Sequence, residues 1–359
     1  MKSPLSLPTI LGMLCIAPLF AFSSGQDQKK PAKVDDGQTI RVAVEMVSLP
    51  VVVTTKDGRR ITDLQKGDFQ VYEDGVPQEI AGFAATDEPI SVVLVIDTSG
   101  STEEMLARMQ NEAIHFVNQL HPDDSVAIMS FAQDVNLLED FSIDRDRNAY
   151  GIKETRSGGW TVLYEAVWLA LEEVLKPVQE RKALVLFTDG VDTASRKASE
   201  KDTLELAKES YATIYSVYFD TERDMYTRGM RGTRPTVGGL PMPGGYPGGY
   251  PPMGSPMPPV MSPGGRGTSH GEYMMGRNYL KQLSDYSGGV VVDALTINDL
   301  TAAFDQIAKE LASQYSIGYY STNPKHDGKF RKVEVKLKKP DLVARTKKGY
   351  FSKKPDGKK

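Results

Sequence analysis

Val92-Val93-Leu94-Val95-Ile96 is an unbroken apolar run that stops at Asp97, and it narrows the possible folds more than any other stretch. A strand with one wet face alternates apolar and polar residues. A strand apolar at every position has both faces covered, as in a parallel sheet between two helix layers. Ala183-Leu184-Val185-Leu186-Phe187 and the stretch 212–219 repeat the type, and Ser125-Val126-Ala127-Ile128-Met129 and 135–141 read as further strands. Between them, Met105, Met109, Ala113, Phe116 and Leu120 recur at spacings of four and three, as do Leu163, Val167, Ala170 and Val174. Such spacing places apolar side chains on one stripe of a helix. Leu300, Phe304, Ile307 and Leu311 form a third stripe, opened by Thr296 with Asp299 three residues on, a capping pattern. Residues 91–314 are therefore expected to be α/β, a doubly wound, mostly parallel sheet with helices on both faces.

The flanks read differently. Val42, Val44 and Met46 alternate with polar neighbours, Val51-Val52-Val53 ends at Lys56-Asp57-Gly58, and Phe69-Gln70-Val71-Tyr72 leads into Glu73-Asp74-Gly75, with Ile80 and Phe83 beyond. Asp-Gly between apolar alternations signals a hairpin. The stretch 315–352 is also strand-like, with a turn at Asp327-Gly328. Neither 39–90 nor 315–352 is large enough to close a core alone. The expectation is one small β-sandwich made by both flanks, with the middle of the chain inserted.

Three segments fall outside this scheme. Lys2 precedes an apolar run over 10–22 that is too short to span a bilayer comfortably, and small residues at Ala21 and Ser23, or Ser23 and Gly25, fit cleavage after an export signal. Residues 1–25 are thus expected to be a signal peptide and 26–38 a flexible spacer. The single cysteine, Cys15, lies inside that run; a lipid-anchored cysteine wants a small residue before it, and Leu14 is large. The mature chain is then free of cysteine, which excludes a disulfide scaffold, thiol catalysis and thiolate metal sites. No second apolar stretch is long enough for a membrane span, so the protein is expected to be exported: periplasmic, at the cell surface or secreted. Residues 221–275 are dominated by Gly, Pro, Met and Tyr, including tandem Pro243-Gly244-Gly245-Tyr246 and Pro247-Gly248-Gly249-Tyr250, and are expected to be disordered. They follow a sheet strand, which would bring them out on the strand-end face.

The net charge is −4, but 325–359 carries 14 Lys/Arg against 4 Asp/Glu, so the remainder is acidic. Val333, Val335 and Leu337 alternate with Lys332, Lys336 and Lys338. This pattern reads as the solvated face of an edge strand, followed by a basic tail at 353–359, rather than a nucleic-acid surface.

The residues with chemistry stand where strands end. Asp97-Thr98-Ser99-Gly100-Ser101 follows the first buried strand, 157–161 (Ser-Gly-Gly-Trp-Thr) opens the helix bearing Leu163, and Phe187-Thr188-Asp189-Gly190 closes the next buried strand. In an open parallel sheet the loops at the carboxyl ends of strands line the ligand crevice. Two carboxylates and several hydroxyls there are hard oxygen donors suited to Mg2+ or Mn2+. Each piece alone has a plainer reading as a turn or helix cap; the three in this order point to one cation.

Asp97-x-Ser99-x-Ser101 with Thr161 and Asp189 resembles the metal-ion-dependent adhesion site of von Willebrand factor type A domains, with no ligand position substituted. The flanking Asp68-Phe69-Gln70-Val71-Tyr72-Glu73-Asp74-Gly75, Gln314-Tyr315-Ser316-Ile317-Gly318-Tyr319-Tyr320 and Lys348-Gly349-Tyr350-Phe351 resemble a bacterial group related to these domains and known from Acidobacteria. The resemblance implies a Rossmann-like doubly wound domain. It implies direct metal contact for Ser99 and Ser101, contact largely through water for Asp97, and contact that alternates between direct and water-mediated for Thr161 and Asp189. The function it implies is binding a protein ligand that offers an Asp or Glu to the cation. Other classes fit less well. His115, His121, His270 and His326 form no catalytic pairing in sequence, an aspartyl phosphatase motif would need an acid where Ser99 stands, and no glycine-rich phosphate loop is present. A metal-dependent hydrolase therefore lacks a base or nucleophile. A structural, carbohydrate- or matrix-binding sandwich in which metal only steadies the fold is the remaining alternative.

Overall fold

In a computed structural model, residues 46–85, 88–179, 181–219, 221, 269–296 and 299–353 are described, with Ser101 and Glu104 described by backbone alone. The signal and spacer segments, the alternation at Val42 and Val44, most of the Gly/Pro-rich stretch (222–268) and the end of the basic tail lie outside the described residues. Along the chain the elements are β1 (Met46–Thr55), β2 (Phe69–Glu73), β3 (Val76–Gln78), β4 (Ile80–Ala84), β5 (Ile90–Asp97), α1 (Leu106–Gln119), β6 (Ser125–Phe131) and β7 (Val135–Ser142). They continue with α2 (Arg145–Lys153), α3 (Leu163–Leu169), β8 (Arg181–Thr188), α4 (Glu200–Glu209), β9 (Thr213–Phe219), α5 (His270–Ser287) and β10 (Val291–Ala294). The last are α6 (Asp299–Leu311), β11 (Gln314–Tyr320), β12 (Phe330–Leu337), β13 (Leu342–Arg345) and β14 (Gly349–Phe351).

The central sheet has the order β10-β9-β8-β5-β6-β7, parallel except for the antiparallel edge strand β7. The unbroken apolar run is explained directly. Val92, Leu94 and Ile96 of β5 face a cluster with Met109 and Phe116 of α1 and Phe304 and Ile307 of α6. Val93 and Val95 face the opposite cluster, with Leu163 and Val167 of α3 and Leu280 and Leu283 of α5. Each such aliphatic side chain contributes about 1.5–3 kcal/mol when fully buried, so the covered strands anchor the domain.

The flanks do meet. One sheet runs β13-β1-β11-β4 and the other β14-β12-β2-β3, so each mixes strands from both ends of the chain. Val47, Leu49, Val51 and Val53 of β1 pack with Tyr315, Ile317 and Tyr319 of β11 and with Phe69, Val71, Val333 and Val335 of the facing sheet. Pro50 is tolerated inside β1 because β13 pairs only with 52–55, so no ladder donor is missed on that side. The two sheets are tied through buried Glu73, which accepts hydrogen bonds from Tyr319 (2.8 Å), Tyr350 (2.9 Å) and Ser321 (2.6 Å). Asp74 at φ 48° and Gly75 at φ 82° form the tight β2–β3 turn, as the Asp-Gly signal requires.

Two expectations need correction. β12 is not simply an edge strand: β14 pairs with it over 330–332 and β2 over 333–337, and Lys332 and Lys336 lie on its exposed face. The disordered stretch was also expected to run to 275, whereas α5 begins at His270, capped by Ser269, whose hydroxyl accepts from Glu272 N while the Glu272 carboxylate returns to Ser269. That reciprocal cap starts a helix whose first turns pack beside the strand-end loops.

Candidate functional site

β5 and β8 are neighbours at the point where the chain's winding reverses: β6 and β7 lie to one side, β9 and β10 to the other. Ligands of open α/β sheets bind at the carboxyl end of such a point. Ile96 is level with Phe187 in the β5–β8 register. Asp97 therefore stands beside Thr188, with Asp189 the next residue, and both acids emerge on the same rim.

The Asp97 carboxylate is fully buried. Its Oδ1 accepts from Ser99 N at 2.9 Å and its Oδ2 from the Thr188 hydroxyl at 2.6 Å, and the Ser99 hydroxyl also hydrogen-bonds to it. Burial and the nearby negative charge of Asp189 push Asp97 up to about 7, against the opposing pull of those hydrogen bonds. Asp189 is itself only 4 % exposed. Its Oδ1 accepts from Val191 N at 3.1 Å and its Oδ2 from the Thr221 hydroxyl at 2.8 Å.

The hydroxyl-bearing loops are sewn to this pair. Thr98 N donates to Phe131 O (2.8 Å), Gly158 N to Thr98 O (2.8 Å), and Gly100 N to Gly159 O (3.4 Å), which lays the 157–161 loop along the 97–101 loop. Gly158 is required there, since a Cβ would lie 2.3 Å from the Ala132 Cβ. Thr161 is buried and its backbone is fixed from both directions: its N–H donates to the Thr193 hydroxyl at 2.8 Å, and its carbonyl accepts from Thr193 N and Ala194 N. Ser101 lies in the 3-10 turn Gly100–Met105 that leads into α1, and its side chain is outside the described residues. The structure thus brings Asp97, Ser99 and Asp189 together in buried surroundings, and it fixes the Thr161 backbone to Thr193 and Ala194.

Thr188 and Thr221 were missed by sequence reasoning. Thr188 stood inside the quoted motif, and its hydroxyl links the two acidic loops by donating to Asp97 while accepting from Gly190 N at 3.0 Å. Thr221 had no local signal. Among the described residues no three His, Cys, Asp or Glu side chains cluster as metal ligands. A site of two carboxylates completed by hydroxyls does not form such a cluster. The donor set fits a hard divalent cation: two close, buried acids in which no basic side chain figures among the causes of the Asp97 shift.

Residues 92–191, which contain the 97–101, 157–161 and 187–190 loops, match the family model of the von Willebrand factor type A domain. The chain carries a von Willebrand factor type A domain. No curated protein matches the chain. Among solved structures, the chain is similar to the vWF domain of the type V pili tip protein Mfa5 from Porphyromonas gingivalis, with 13% identity, TM-score 0.42, 62% of this chain and 94% of that one covered. It is also similar to a von Willebrand factor type A protein from Catenulispora acidiphila, with 12% identity, TM-score 0.44, and 82% of this chain and 76% of that one covered. A third likeness is to proximal thread matrix protein 1 from the mussel byssus with a zinc-occupied MIDAS motif: 15% identity, TM-score 0.41, 66% of this chain and 48% of that one covered. At these scores the likenesses stand as observations only. No described helix is long and apolar enough to cross a membrane.

Proposed function

We propose that this is an exported, non-enzymatic binding protein whose A domain holds Mg2+ or Mn2+ through Asp97, Ser99, Ser101, Thr161 and Asp189 and uses it to bind a protein partner's Asp or Glu. One observation carries the reading: two buried acids at the strand ends flanking the switch point, wrapped by loops rich in hydroxyls. When bound, the cation supplies positive charge at a pocket that water reaches poorly, where a carboxylate from outside is held strongly. The chain's own part is geometric. Thr188 and the Ser99 amide fix the Asp97 carboxylate, Val191 N and Thr221 fix that of Asp189, and the interlocked loops keep the hydroxyls of the motif in place. With the neutral Ser99 and Ser101 hydroxyls as the direct contacts and Asp97 acting largely through water, a cation there would keep charge for an acidic ligand. His115 lies against Asp305 and His121 against Asp123, so neither pairs with an acid of the motif.

The test is capture of partners from the native cell envelope with wild type and Asp97→Ala side by side, with and without EDTA. Proteins retained by wild type and lost with either treatment are expected. A second reading assigns binding to the sandwich, where an open cleft of about 500 Å3 is lined by Lys66, Gln70, Tyr72, Gln78, Glu79 and Lys338. Under that reading, capture persists in EDTA while the melting temperature falls.

A further inference from the structure

Asp189 differs from Asp97 in what holds it. The Thr188 hydroxyl and the Ser99 amide that restrain Asp97 come from the two acidic loops themselves. One oxygen of Asp189 is instead held by Thr221, 32 residues away, at 2.8 Å. Thr221 follows β9, the strand next to β8 on the side away from Asp97, and it is buried. Its hydroxyl also lies 3.2 Å from the phenol oxygen of Tyr273, which is buried too and sits in the first turns of α5. The close approach of α5 is built in: a Cβ on Gly276 would lie 2.5 Å from the Gly190 carbonyl oxygen, and one on Gly190 would lie 2.7 Å from the Gly276 carbonyl carbon. Gly190 also takes φ +80°, a conformation open to glycine and strained for other residues. Two glycines thus let the helix bearing Tyr273 lie directly on the loop bearing Asp189.

A threonine hydroxyl has one proton to give. At 2.8 Å the carboxylate is its better acceptor, since a hydrogen bond to a charged oxygen is roughly twice as strong as a neutral one. The phenol then acts on Asp189 through the threonine, by fixing which way that hydroxyl faces.

We propose that Thr221 and Tyr273 are positioning residues for the cation site: they lock the Asp189 carboxylate in one orientation and tie cation uptake to the start of α5. This rests on the cation reading given above, and it adds two residues outside the five of the motif. The physical effect is preorganisation. With one oxygen anchored by a buried donor, the carboxylate need not be ordered when a cation arrives, and its second oxygen faces a fixed direction. The coupling runs both ways, because whatever stabilises the Asp189–Thr221–Tyr273 arrangement favours the cation and the cation favours that arrangement.

Thr221→Val keeps the shape and removes the hydroxyl, Thr221→Ser keeps the hydroxyl, and Tyr273→Phe removes the phenol alone. Mn2+ affinity is read by calorimetry, unfolding midpoints in EDTA report the metal-free fold, and hydrogen exchange of peptides covering 213–219 and 272–287 reports the coupling. Losing the outer partner of a metal ligand weakens binding about 10–100-fold, so Thr221→Val is expected to lose at least about tenfold and Tyr273→Phe less, while Thr221→Ser stays within about threefold of wild type. Mn2+ should slow exchange in both peptides of the wild type and in neither peptide of Thr221→Val, with the EDTA midpoints unchanged. Wild-type Mn2+ affinity in both Thr221→Val and Tyr273→Phe would overturn the pair while leaving the cation site standing. If Thr221→Val does not fold, Tyr273→Phe and Thr221→Ser decide the matter by Mn2+ affinity and hydrogen exchange. Failure of the wild type to take up Mn2+ would overturn the cation reading itself, and the pair with it.

Discussion

Lys347 is an ammonium almost cut off from water, 1 % exposed, at the seam between the sandwich and the α/β layers. Its Nζ donates to the Ser210 carbonyl at 2.9 Å and lies 4.8 Å from the Tyr211 ring centre. Burial pushes it down to about 7, with Glu209 pulling the other way. An unfolded lysine titrates near 10.4, so between about pH 7 and 10 the unfolded chain holds more protons at this site, and stability rises with pH across that window. Urea unfolding of wild type and Lys347→Met at pH 6.5 and pH 9 should show the difference moving in favour of wild type by roughly 1–3 kcal/mol on going to pH 9. Parallel profiles would show that Lys347 stays charged throughout. The residues of the candidate site divide along similar lines of range. Asp97, Ser99, Ser101, Thr161 and Asp189 could be put forward as ligands from sequence because each stands where a covered strand ends or a helix begins, and those ends are marked in sequence. Thr221 and Tyr273 were not, because their relation to Asp189 is made by tertiary packing across 32 and 84 positions and leaves no local pattern.

At the level of elements, the strands and helices with strong period were readable, and those with weak period were not. β5 and β8 announce themselves as unbroken apolar runs, β9 as a mostly apolar one broken at Ser216, and α1 and α6 as stripes. α2 buries Asn148, Gly151 and Ile152 and so carries little apolar signal, while α4 buries only Thr203 and Ala207. α5 was hidden at its start by the Gly/Pro-rich composition running into it, although Ser269 and Glu272 are a cap in plain sight. Its Gly276 offers a test in which two effects oppose. Alanine in a helix is favoured over glycine by about 1 kcal/mol. The new Cβ would sit 2.5 Å from a backbone oxygen of Gly190, which cannot rotate away. Overpacking of this kind costs about 1–3 kcal/mol, so the clash wins. Gly276→Ala is expected to lower the urea midpoint and to weaken Mn2+ uptake together, since α5 must lift from the Asp189 loop. A higher midpoint with unchanged uptake would show that the contact is loose.

At the scale of the molecule, the insertion of an α/β layer structure into a sandwich built by both flanks followed from a size argument: neither flank can bury a core alone. The structure adds how the two are joined. Glu310, buried near the end of α6, pairs with Arg345 of β13 and lies 3.9 Å from Arg60, and the Gln314 amide of β11 donates to Thr213 of β9 at 3.1 Å. Arg181 at the start of β8 reaches the carbonyls of Glu88 and Leu311, the two points where the chain enters and leaves the α/β layers. None of these pairings is periodic, which is why the sequence is silent on them. They leave the strand-end rim, with its acids and hydroxyls, on a rigid support. The central claim is that this rim holds one divalent cation. Crystals grown with Mn2+ and measured for anomalous scattering test it most directly. A single strong peak is expected among the side chains of Asp97, Ser99, Ser101, Thr161 and Asp189, absent from crystals of Asp97→Ala. A wild-type crystal saturated with Mn2+ that shows no peak there, or a peak ligated by other residues, would contradict it.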